Sequence, residues 1–100
     1  MDTDDFSELS RGIIVRAAQI SDTLKAELGA LSGSYKNEDD WLRGVKKHLQ
    51  RIIEDPDEYV DFWNLEEEEG ITATTIRNLA SGLGRQADEV LSRPLDQRSQ

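Results

Sequence analysis

The 100-residue chain contains no cysteine, so neither a disulfide framework nor a thiolate metal site is available to it. No apolar run approaches the ~18–20 residues that a membrane-spanning helix needs. No basic-then-apolar leader pattern opens the sequence. Positive charge is scarce, with 12 Lys+Arg against 21 Asp+Glu and a formal net charge of -9. There is one histidine, and the two prolines, Pro56 and Pro94, stand far apart. No Pro-rich or Gly/Ser-rich linker and no internal repeat divides the chain. A length of this order holds one core. The expectation is an acidic, cytoplasmic protein with one domain over residues 1–94 and a disordered tail over 95–100.

The apolar residues recur at helical spacing throughout, which predicts an all-α fold. Phe6, Leu9, Ile13, Ala17, Ile20, Leu24, Leu28 and Leu31 step by three or four, placing them on one face of a helix from about Asp5 to about Leu31. Asn37 is a favourable N-cap for a second helix over about 38–54, whose apolar side carries Trp41, Leu42, Val45, Leu49, Ile52 and Ile53. Its other positions hold Arg43, Lys46, Lys47 and Arg51, a basic stripe in an acidic protein. A third helix begins with Asp55 as cap and Pro56 at the first helical position, where its missing N–H costs nothing. Gly70 is its natural stop. Thr72 caps a fourth segment, with Ile71 and Ile76 spaced as a hydrophobic staple. Gly82 and Gly84 interrupt that segment and leave open one helix or two. Four or five amphipathic helices joined by short loops predict an antiparallel, bundle-like arrangement.

Charge is distributed very unevenly. Residues 54–69 hold nine acids (Glu54, Asp55, Asp57, Glu58, Asp61, Glu66, Glu67, Glu68 and Glu69) and no Lys or Arg. The twelve remaining acids match the twelve bases, so the whole net charge resides in this sixteen-residue segment. Asp55, Asp57 and Glu58 suit a helix N-terminus, whereas four glutamates at the other end oppose the helix dipole and one another. Tyr59, Phe62 and Trp63 form an aromatic cluster at i, i+3 and i+4, the spacing of a core-facing stripe. Trp and Tyr are also the residue types that concentrate energy at interfaces. Asp57, Asp61, Glu66, Glu67, Glu68 and Glu69, with Tyr59 and Trp63 at their edge, are therefore the candidate partner-binding residues. Whether the basic stripe neutralises them is left open by the sequence.

Signals for catalysis are weak. His48 is the single base available to any serine nucleophile, and no Gly-x-Ser-x-Gly turn is present. No Walker-type phosphate loop occurs. Asp55, Asp57, Asp61 and Glu66 approximate calcium-loop spacing, but aromatic residues intervene and the sharp-turn glycine is missing. The Glu-x-x-His pairs of di-iron bundles are missing as well. A non-enzymatic protein without cofactor or metal is expected. Ile76-Arg77-Asn78-Leu79-Ala80-Ser81-Gly82-Leu83-Gly84, followed by Asp88-Glu89-Val90-Leu91, resembles the closing part of phage-repressor-type helix-turn-helix domains. That resemblance covers less than a fifth of the chain and implies a DNA-binding regulator.

Three functions are thus set against one another. In the first, the acidic segment engages a basic, nucleic-acid-binding surface of another protein, as an inhibitor or anti-defence factor that imitates phosphate charge. In the second, the Phe6 to Leu31 stripe pairs with its copy in a homodimeric scaffold. In the third, the basic stripe or the last helix binds DNA.

Overall fold

The computed structural model describes residues 6–63, 67, 70–94 and 97, residue 63 through its backbone alone. The fold is all-α. Among the described residues it comprises α1 (Glu8–Ile20), α2 (Asp22–Leu31), a short 3-10 turn (Ser32–Ser34), α3 (Glu38–Glu54), α4 (Pro56–Trp63) and α5 (Ala73–Ser92). None of these helices is long and apolar enough to cross a membrane.

The first expected helix is in fact two. Ser21 is extended, with φ -163° and ψ 137°. Its N–H closes α1 on the Ala17 carbonyl, and its side chain accepts from the Thr23 N–H to open α2. A serine that hydrogen-bonds the backbone two residues on competes with helix continuation. The apolar spacing nonetheless runs through the break, because Ile13, Ala17, Ile20, Leu24 and Leu28 are all buried. The last segment behaves in the opposite way. Gly82 and Gly84 lie inside α5, which runs unbroken for 20 residues. Packing against α3, α1 and α4 outweighs a propensity cost of roughly 1 kcal/mol per glycine.

Two of the expected caps form. Asn37 accepts from the Asp40 N–H at 2.8 Å, and Thr72 accepts from the Thr75 N–H at 3.4 Å. Gly70 takes the left-handed φ of 67° that favours glycine. Ser7 makes no side-chain cap bond for α1. Instead the buried Glu38 carboxylate, from the first turn of α3, accepts from the Ser7 N–H at 2.5 Å and from its hydroxyl at 3.1 Å. This places a negative group at the α1 N-terminus, where the helix dipole favours it.

Trp41 anchors the core. It is fully buried, its ring centroid lies 4.4 Å from that of Phe6, and its indole N–H donates to the Leu28 carbonyl at 2.9 Å. Leu28 is in the last turn of α2, where carbonyls lack helical partners. Ser32 Oγ donates to the neighbouring Gly29 carbonyl at 2.6 Å. Leu42, Val45, Leu49 and Ile52 of α3 meet Ile76, Ala80, Leu83, Ala87 and Val90 of α5 in the same cluster, and α3 and α5 form the most extensive helix pair.

Candidate functional site

The short helix α4 carries Asp57, Glu58 and Asp61 of the acidic segment. It touches α3 and α5, and Val60 is its buried contact, at 5% exposure. Tyr59 is half-buried and sits edge-on to His48 of α3, with ring centroids 6.2 Å apart. His48 Nε2 lies 2.7 Å from Glu27 Oε1 of α2. Tyr59, His48 and Glu27 thus tie α4 to the neighbouring helices.

Asp57, Glu58 and Asp61 are exposed. Among the described residues none of them forms an ion pair, and Glu67 is exposed as well. Glu54, at the end of α3, accepts a long 3.4 Å hydrogen bond from Gln50. Glu66, Glu68 and Glu69 lie outside the described residues, as does the side chain of Trp63, whose backbone ends α4.

Two of the four cations in the basic stripe of α3 are engaged elsewhere. Arg43 pairs with Asp40 one turn earlier at 3.0 Å, and Lys46 pairs with Asp88 of α5. Lys47 and Arg51 are exposed and pair with no described carboxylate. The acids of α4 that the structure describes therefore keep their negative potential toward solvent.

Phe62 is the residue that the sequence reading misassigns. Its spacing from Tyr59 suggests core, yet it is 79% exposed. The missed signal is its position four residues after Glu58 and one after Asp61. Counted from Glu58 rather than from Tyr59, Phe62 falls on the acidic side of the helix. Its phenyl ring is the one large aromatic side chain exposed among the described residues.

Two alternative surfaces fare differently. Apart from the half-buried Leu9, the stripe expected to pair with a second copy is buried in this chain's own core from Phe6 through Leu28. The stretch resembling a helix-turn-helix lies within the continuous α5 and contains no turn between Ile76 and Leu91. Comparison with known protein families, with curated proteins and with solved structures returned no match.

Proposed function

We propose that the protein is a non-enzymatic acidic interaction module that docks on a basic surface of another protein through α4 and the glutamates that follow it. The observation that carries this reading is that Asp57, Glu58 and Asp61 of α4 are exposed, as is Phe62 at 79%, with no described cation paired to the acids. The carboxylates supply long-range attraction and partner choice, and the phenyl ring supplies short-range apolar contact. A basic nucleic-acid-binding groove is the partner surface that this combination fits best, because spaced carboxylates on a helix imitate a row of phosphates.

The test is capture of a basic protein from native lysate on the immobilised chain, at about 50 mM and about 500 mM salt, where screening lengths differ severalfold. Wild type should retain a partner at low salt and release it at high salt. Glu66, Glu67, Glu68 and Glu69 changed together to Gln, or Asp57→Asn combined with Asp61→Asn, should abolish capture without unfolding the chain. Phe62→Ala should weaken it about tenfold, a loss of about 1.4 kcal/mol. Capture by the charge-neutral variants equal to that of wild type at low salt refutes the reading.

A further inference from the structure

In contrast to α4, the hollow between α1 and α5 is cationic. It has a volume of about 490 Å³, with Leu9 and Arg16 on one wall and Gly82, Arg85, Val90 and Arg93 on the other. Glu89 also lines it and pairs with Arg93 at 3.0 Å. Three guanidiniums and one carboxylate line it, in a chain whose net charge is -9.

Arg16 is held differently from the paired cations of α3. Arg43 and Lys46 are each neutralised by an aspartate, whereas Arg16 Nη1 donates to the amide oxygen of Gln86 at 3.1 Å. A neutral acceptor orients a guanidinium without cancelling its charge, and four of its five N–H donors remain for another partner. Gly82 gives the group its place. A Cβ there would lie 3.0 Å from Arg16 Nη2, so the glycine lets the guanidinium rest against the α5 backbone. Arg85 is exposed and makes no ion pair with any described residue.

We propose that this hollow binds the phosphate group of a small organic phosphate monoester through the guanidiniums of Arg16 and Arg85. Guanidinium forks match phosphate oxygens in geometry and charge. A monoester carries about -1.5 to -2 charges at neutral pH, which the two guanidiniums of Arg16 and Arg85 match. Leu9 and the buried Val90 supply an apolar wall for the organic body, and the volume falls within the range of small-ligand sites. A nucleic acid is disfavoured, because an extended polyanion meets the repulsion of the whole acidic chain. A small dianion responds mainly to charges within a screening length of about 8 Å. The site is independent of α4, and Asp57→Asn with Asp61→Asn should leave it intact.

The test is an amide NMR titration of the full chain at constant ionic strength, with adenosine monophosphate in one arm and inorganic phosphate in the other. Both should saturate near about 1 mM or below, with shifts centred on Gly82, Arg85 and Gln86. Tighter binding of the nucleotide, with added shifts at Leu9 and Val90, identifies an organic monoester as the ligand. Equal binding of inorganic phosphate with no shift on the apolar wall overturns the organic part of the proposal. R16Q and R85Q should each weaken binding about tenfold, whereas E89Q should tighten it about two- to fivefold. Arg85 makes no ion pair among the described residues that its loss would break, so R85Q keeps the test valid even if R16Q disturbs packing. Absence of saturation in both arms, or saturation undiminished in R16Q and R85Q, overturns the proposal.

Discussion

Gly44 lies on α3 where a Cβ would overlap the Tyr35 ring, whereas nothing stands within 4 Å of the Cβ position of Gly84 in α5. The two therefore respond oppositely to the same substitution. Gly84→Ala adds helix propensity in open space and should stabilise the fold by about 0.5–1 kcal/mol. Gly44→Ala gains the same propensity but forces the half-buried Tyr35 aside, and should cost about 1–3 kcal/mol. Urea midpoints of the two variants against wild type check both signs. A Gly44→Ala protein as stable as its parent would mean that Tyr35 swings away without loss. At this scale the sequence is legible where chemistry is local. Asn37 and Thr72 cap because their side-chain oxygens reach amides three residues on, and no distant residue is needed to foresee it. Glu38 at the α1 N-terminus and Phe62 in solvent were not foreseeable in that way. The first depends on where α3 begins relative to α1, and the second on which side of α4 meets the core.

The division of the first helical segment at Ser21 shows what periodicity hides. The step of three or four from Ile13 to Leu28 continues across the break, so the apolar pattern alone reads as one helix. The signal was instead Ser21-Asp22-Thr23, a cap residue followed by an acid and a further hydroxyl. Conversely, the glycines of α5 suggest an interruption that burial against three other helices overrides. Ser21 is buried, and its Oγ accepts from the Thr23 N–H at 3.1 Å. Ser21→Ala should destabilise the fold by about 1 kcal/mol, the usual cost of losing an N-cap. The Thr23 amide should lose protection in hydrogen exchange before those of α3 do. Equal protection at Thr23 in wild type and variant would show that the side-chain bond contributes nothing to α2.

The whole molecule has a Cα radius of gyration of 13.3 Å and extents of 41 × 21 × 21 Å, close to the ~13 Å expected of a folded chain this long. Within these dimensions, like charges crowded into residues 54–69 repel one another at low ionic strength. Raising salt from about 10 mM to about 150 mM shortens the screening length from about 30 to about 8 Å and should raise the urea midpoint. The expected gain is a few tenths of a kcal/mol for each like-charge pair relieved. A midpoint that falls instead would mean that attraction, not repulsion, dominates the charge pattern. Fold class and charge layout were legible at this scale, because both follow from counts and spacing. The cationic hollow was not, since Arg16 and Arg85 are 69 positions apart in sequence and meet only when α1 lies on α5. Concentrating all the net charge beside an exposed phenyl ring also bears on how these molecules treat one another. Outside that segment the chain is electrically balanced, so counter-ions or a bound cation-rich partner would remove most of the mutual repulsion that keeps copies dispersed. Colloidal behaviour should then hinge on what covers one short helix, with multivalent cations such as polyamines driving precipitation at concentrations that leave a uniformly charged protein of equal size in solution.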